Sequence, residues 1–177
     1  MFAKFIFMGI ITFSVMSEGL TAQNIDKGLM ERTKTEIKKT FPNVPSLSVN
    51  AFVKYSAESG SAGPLIIDVR NSEEFEVSHI DGAISYPINQ LVERKTHDLP
   101  HDRTLLVYCS AGYRSAEFVS HLQNKGFVNA YNLEGGIFEW KNTGNPVFRD
   151  GTAVNVVHPF NRKWGRLLDP DSHWQAA

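Results

Sequence analysis

A single cysteine, Cys109, stands in the 177 residues of the chain. One thiol permits no intramolecular disulfide, no thiolate zinc cluster and no Cys-x-x-Cys redox pair, so Cys109 is either an inert buried thiol or a working one. A charge surplus is also missing. The formal net charge is −1 at pH 7, which gives no broad field for gathering nucleic acid or anionic lipid and leaves anion recognition to local groups. No apolar run approaches the roughly 20 residues that cross a bilayer, and the chain shows no internal repeat or low-complexity segment. What is present is 42% apolar and 21% charged residues, the balance of a water-soluble globular protein, at a length suited to one domain with appendages.

The N-terminus carries an export pattern. Lys4 supplies a positive start, and Phe5 to Met16 form an uncharged, mostly apolar stretch of about a dozen residues, the length of a signal h-region. Ser17-Glu18-Gly19 or Leu20-Thr21-Ala22 ends it, so residues 1–22 are expected to be a signal peptide cleaved after Gly19 or Ala22. No cysteine lies near either point for lipid attachment. The expectation is an exported, periplasmic protein without stable membrane insertion once the signal is removed; an uncleaved anchor or a stray apolar helix is the alternative.

Ile25, Leu29, Ile37 and Phe41 recur at multiples of four among Lys and Glu residues. This predicts a charged helix with one apolar stripe in a lead-in over residues 23–45, ended by Pro42 and Pro45. Short apolar runs then alternate with helical stretches over residues 46–146. The predicted strands are Leu47–Val49, Leu65–Val69, Ala83–Tyr86, Thr104–Tyr108 and Ala130–Leu133. Between them fall helices over Ala51–Glu58, Ser72–Val77 (opened by Asn71 or Ser72), Ile88–Arg94, Ala116–Lys125 (stopped by Gly126) and Ile137–Lys141. Such alternation predicts an α/β fold, a parallel sheet with helices on both faces. Ligands bind such sheets at the carboxyl ends of the strands, where Cys109 stands. A C-terminal extension, 147–177, shows no clear periodicity.

The stretch Cys109-Ser110-Ala111-Gly112-Tyr113-Arg114-Ser115 follows a buried strand and precedes a helix. A loop placed there turns several backbone N–H groups toward one point, and the helix N-terminus adds positive potential. Gly112 lets the backbone curl. Arg114 adds a fork matched to oxyanions. A cysteine at such a mouth is expected to lose its proton more easily than a free thiol.

These residues resemble the rhodanese family, and the resemblance extends beyond the loop. Asp68-Val69-Arg70, Glu74-Phe75, His79-Ile80-Asp81-Gly82-Ala83, Leu99-Pro100, Leu106-Val107-Tyr108-Cys109 and Leu133-Glu134-Gly135-Gly136-Ile137 with Trp140 match its landmarks in order, over about Ser46 to Pro146. The resemblance implies a central five-stranded parallel sheet and a sulfurtransferase. Such an enzyme takes sulfur from a small sulfur-containing anion, of thiosulfate or persulfide type, holds it as a persulfide, and passes it to cyanide, a thiol or a protein acceptor. By position, Cys109 would be the nucleophile. The backbone of Ser110, Ala111, Gly112, Tyr113 and Ser115 would hold the persulfide and substrate anion, with a further hydrogen bond from the Ser115 hydroxyl. Arg114 would orient the donor's oxyanion. No metal or organic cofactor is implied. Related phosphatases and arsenate reductases place one residue more between cysteine and arginine, so the shorter loop here looks like the sulfurtransferase form.

Other residues carry plainer expectations. Asp68 and Arg70 are read as supporting, Asp68 bracing backbone near the loop and Arg70 pairing with an acid such as Glu74. His79, Asp81, Gly82, Glu134, Gly135, Gly136 and Trp140 are expected to shape turns and packing. His97 and His101 lie four apart, but Pro100 opposes a helix that would present both to a metal. The aromatic tail, with Phe160, Trp164 and Trp174, reads as a docked surface wrap. Two rival functions stand beside sulfur transfer: a non-enzymatic rhodanese-like module that docks a specific partner, and phosphatase-type chemistry.

Overall fold

A computed structural model describes residues 19–60, 63–88 and 96–176. The expected signal core, Phe5–Met16, and all but the first residue of the helix expected over Ile88–Arg94 lie outside the described residues.

The architecture is built around β4 (Leu105–Tyr108), whose four residues are all buried. β2 (Leu65–Asp68) and β5 (Ala130–Leu133) flank it, and β3 (Ile84–Ser85) and β1 (Ser46–Leu47) form the edges, giving the order β1-β5-β4-β2-β3. Every pairing in this sheet is parallel. Side chains alternate across a strand, so Leu106 and Tyr108 enter one core while Leu105 and Val107, with Cys109 beyond the strand end, enter the other. Burial on both faces is why β4 reads as an unbroken apolar run.

Against one face, α4 (Tyr113–Asn124) places Phe118, Val119 and Leu122 over Leu105 and Val107. The opposite core receives Phe52 of α2 (Val49–Ser59), Ile137, Phe138 and Trp140 of α5 (Gly136–Asn142), and Met30 of α1 (Gly19–Thr40). Ser48, expected within a strand, is instead the N-cap of α2, its hydroxyl accepting from the N–H of Ala51 at 3.2 Å; a serine satisfies an otherwise orphan helix donor better than it fills a strand. The stripe on α1 includes Met30, buried beside the expected Ile37. α3 (Ser72–Val77) has Asn71 as its N-cap, and the Asn71 N–H donates to Glu74 Oε2 at 3.2 Å, the reciprocal half of a capping box.

The C-terminal extension has regular structure. β6 (Val147–Arg149) and β7 (Thr152–Val154) form an antiparallel hairpin. Its turn residues Asp150 and Gly151 have φ of 50° and 73°, the positive values that a tight hairpin turn requires. The hairpin joins the domain through reciprocal backbone bonds between His79 and Phe148 (2.9 and 2.8 Å). Farther on, α6 (Arg162–Gly165) precedes Leu167 and Leu168, which enter the same core as Leu106 and Trp140. Asn142 fastens this segment by donating to the Leu167 carbonyl at 2.7 Å and accepting from the Asp169 N–H at 2.9 Å. The extension therefore completes the core of the sheet's α5 face. Its spacing concealed this because its contacts come from single residues in turns, not from one periodic face. Among the described residues no helix is long and apolar enough to cross a membrane.

Candidate active site

Cys109 follows the last residue of the central strand, and the chain turns at once into α4. Gly112 makes that turn possible. It is the N-cap of α4 with φ 100°, a conformation that L side chains rarely adopt. The helix therefore begins at Tyr113, three residues before the expected start, and places Arg114 and Ser115 in its first turn. Two donors reach the sulfur: the Gly112 N–H at 3.2 Å and the Ser115 hydroxyl at 3.5 Å from Cys109 Sγ. The positive end of the α4 dipole adds to them. Cys109 is a free thiol, 2% exposed.

The loop is held from behind by α5. The N–H of Ile137 donates to the Cys109 carbonyl at 2.9 Å, and that of Phe138 to the Ser110 carbonyl at 3.0 Å. These bonds turn two carbonyls toward α5 and away from the sulfur. The approach is so close that a Cβ on Gly136 would stand 2.2 Å from the Cys109 oxygen, and Gly136 has φ 58°. Of the two landmark glycines here, Gly136 thus acts on the cysteine loop itself, whereas Gly135 closes on Glu139.

Glu74 is the hub of the mouth. Its Oε1 accepts from the Ser110 hydroxyl (2.7 Å) and Arg114 Nη2 (2.9 Å), while Oε2 accepts from Arg114 Nη1 (2.9 Å). Arg114 Nη2 also donates to Ser110 Oγ at 2.9 Å. Burial would raise the Glu74 pKa, but the hydrogen bonds and charge of Arg114, the charge of Arg70 and the Ser110 hydroxyl outweigh it and hold the carboxyl below its ordinary range. Over the Arg114 guanidinium, 4.5 Å from its carbon to the ring centroid, lies Phe160.

Behind Glu74 sits a second pair, fully buried. Arg70 Nε reaches both Asp68 oxygens at 3.0 Å and Nη2 reaches Oδ2 at 2.7 Å; Nη2 also donates to the Ser78 carbonyl at 2.6 Å. Arg70 lies over the Tyr108 ring at 5.7 Å, and the Tyr108 hydroxyl accepts from the Ile80 N–H at 3.1 Å. Burial, then the Asp68 charge, pushes the Tyr108 phenol well above its usual pKa. The expected Arg70–Glu74 pair is corrected here: Arg70 belongs to Asp68, and Glu74 belongs to Arg114. The reason is reach, since Asp68 and Arg70 project side by side from one strand end while the capping box turns Glu74 toward the α4 terminus.

The structure brings Cys109, Ser110, Ala111, Gly112, Arg114 and Ser115 together, with Asp68 and Arg70 one layer behind. Tyr113 stands at the rim, 41% exposed, its ring edge-on to Phe41 at 5.2 Å. Two neighbours of the mouth were expected elsewhere: Glu74 as a partner of Arg70, and Phe160 in a surface wrap. The Asn71…Glu74 spacing of a capping box was the available signal for Glu74; Phe160 left none, because only the fold of the extension carries it to Arg114. His101 stacks on Phe127 at 3.8 Å. Two clefts, one between α1 and Gly112 and one along Pro159 to His173, do not include Cys109.

Fold and site together define an α/β protein with a cysteine at the carboxyl end of its central strand, its sulfur facing one amide and one hydroxyl donor. The family model described as a rhodanese-like domain matches residues 52–143, more than half of the chain, and the chain belongs to this family. It is 31% identical over 83 residues to a protein named sulfurtransferase from Allochromatium vinosum, covering 47% of this chain and 77% of that one. It is 33% identical over 118 residues to a tRNA uridine(34) hydroxylase from Sodalis glossinidius, covering 60% of this chain. The chain spans only 32% of that hydroxylase's length. A rhodanese-like domain from Anabaena, solved in solution, superposes with a TM-score of 0.52 at 30% identity, covering 60% of this chain and 80% of that one. Sulfur-transfer proteins are thus among the relatives.

Proposed function

We propose that the protein is a rhodanese-type sulfurtransferase that carries sulfane sulfur as a Cys109 persulfide. In the first half-reaction the Cys109 thiolate attacks the outer sulfur of a thiosulfate-type or persulfide donor. A bond forms between Sγ and that sulfur as the donor's sulfur–sulfur bond breaks, and the leaving anion departs with the electron pair (sulfite, when the donor is thiosulfate). In the second, cyanide, a thiolate or a protein acceptor attacks the outer sulfur, and the pair of the broken sulfur–sulfur bond returns to Sγ. The Gly112 N–H and the Ser115 hydroxyl stabilise the charge on sulfur at both ends of the cycle. Ala111 and Tyr113 contribute backbone, and Asp68 and Arg70 keep the strand end rigid.

The observation that carries this reading is the convergence of the Gly112 N–H and the Ser115 hydroxyl on Cys109 Sγ at the positive end of α4. The test is incubation with thiosulfate followed by intact-mass measurement. The expected result is a gain of one sulfur atom, reversed by cyanide and absent in Cys109→Ser. An adduct that persists in Cys109→Ser would overturn the assignment. We also propose export, with cleavage after Gly19 or Ala22, supported by Lys4 and the apolar stretch behind it. N-terminal analysis of protein from the periplasmic fraction checks this, and an intact Met1 there would refute it.

A further inference from the structure

Phe160 is an aromatic residue that the extension places over the Arg114 guanidinium, and the chain holds it there at a conformational cost. Its φ is 63°, in the left-handed region that disfavours bulky residues. Such a conformation persists where neighbours over-determine it, and here they do. The Phe160 N–H donates to His158 Nδ1 at 3.0 Å, and the Asn161 N–H to the Pro159 carbonyl at 2.8 Å. On one side His158 stacks on Trp174 at 5.2 Å. On the other, Asn161 Oδ1 caps α6 through the N–H groups of Lys163 and Trp164. The tight turn delivers the ring to the guanidinium of Arg114 at 4.5 Å, while the residue remains 36% exposed. Phe160 lies beyond residue 143, where the match to the family ends.

Its target is already engaged. Arg114 directs both terminal nitrogens to Glu74, one of them also to Ser110, and a ring over one face opposes any swing of the guanidinium away from them. Asp68 and Arg70 cancel each other behind, and Glu74 cancels Arg114 in front. Among the described residues the mouth therefore presents no surplus cation to an incoming donor: the sulfur has the amide and hydroxyl donors and the nearby charge of Arg114, which Glu74 offsets.

We propose that Phe160 is a positioning residue that sets donor specificity: by holding Arg114 on Glu74 it withholds the guanidinium from oxyanions, so the site favours sulfane donors of low charge over the thiosulfate dianion. This rests on the sulfur-transfer reading of Cys109. Thiosulfate and methanethiosulfonate test it cleanly, because both hand over a terminal sulfur from an oxidised sulfur atom. The first releases sulfite and the second methanesulfinate, and they differ by one negative charge, an oxyanion replaced by a methyl group.

The experiment measures the rate of Cys109 persulfide formation by the full chain against the concentration of each donor. The wild type is expected to prefer methanethiosulfonate. Phe160→Gly removes the ring while suiting the backbone, since glycine takes the positive φ freely. It is expected to improve the thiosulfate-to-methanethiosulfonate ratio by roughly two- to fivefold, through KM for thiosulfate, matching the strength of an exposed cation–π contact. Phe160→Trp, which restores a π face, is expected to keep the wild-type ratio. Should the glycine variant not fold, Phe160→Leu carries the same expectation of a raised ratio. A ratio unmoved by Phe160→Gly, or equal losses with both donors, overturns the inference while leaving the Cys109 chemistry standing. A wild type that acquires sulfur from neither donor overturns both.

Discussion

Gly136→Ala tests how the cysteine loop is held. The added Cβ would stand 2.2 Å from the Cys109 oxygen and 2.7 Å from the Ser110 oxygen. Both are backbone atoms that no side-chain rotation can clear, so α5 must retreat by most of an ångström. That movement breaks the bonds from Ile137 to Cys109 (2.9 Å) and from Phe138 to Ser110 (3.0 Å). Each buried bond lost costs about 1–3 kcal/mol, and the left-handed backbone costs a non-glycine residue about 1–2 kcal/mol more. The expected loss is about 3–8 kcal/mol, a large part of the roughly 5–15 kcal/mol that holds a domain folded. Gly126→Ala is the internal control: its φ is 88°, and a Cβ there meets nothing within 4 Å, so only the backbone cost of about 1–2 kcal/mol applies. Urea midpoints of the two variants against wild type provide the comparison, with persulfide formation measured on whatever remains folded. If Gly136→Ala lost no more stability than Gly126→Ala, the close approach of α5 would not be what holds the loop.

Three further outcomes follow from the buried groups. Arg70→Met removes the ion-pair partner of the buried Asp68, and is expected to cost about 3–5 kcal/mol in urea denaturation; the double change with Asp68→Leu should cost less than the two single losses together. Glu74 has a folded pKa below its ordinary 4.5, so its ionised form stabilises the fold. That contribution is complete above 4.5 and disappears as pH falls through the lower folded value. Glu74→Gln should be less stable at neutral pH, and the gap from wild type should narrow on acidification below 4.5; a gap that stayed constant in acid would refute the assignment. Leu168, buried in the α5-side core, is expected to cost about 2–5 kcal/mol on change to Ala, measured by thermal or urea unfolding. A loss under about 1 kcal/mol would instead make the extension a detachable appendage.

The strands and the cysteine loop were legible because they rest on local rules. Leu105 to Tyr108 are buried on both faces and Leu65 to Asp68 pass from half-buried to buried, so each appears as a short run led by apolar residues, and the glycine and arginine after Cys109 mark a turn into a helix whatever surrounds them. α4 starts three residues before the expected Ala116 because Gly112 caps it through a left-handed backbone that hydrophobic periodicity does not report. Asn71 and Glu74 show a capping box in their spacing, but that Glu74 also reaches across to Ser110 and Arg114 does not follow from spacing.

By itself, then, the order of residues determined the alternating α/β class, the position of Cys109 at a strand end and the curl behind it, since these depend on neighbours a few positions away. Only the tertiary structure decided which acid meets which arginine, that Gly136 must admit a carbonyl, and that Phe160 arrives over Arg114. Glu74 meets Arg114 across 40 positions, and Gly136 and Phe160 reach their partners from other elements, so these meetings are selected by which charges and surfaces burial leaves unpaired.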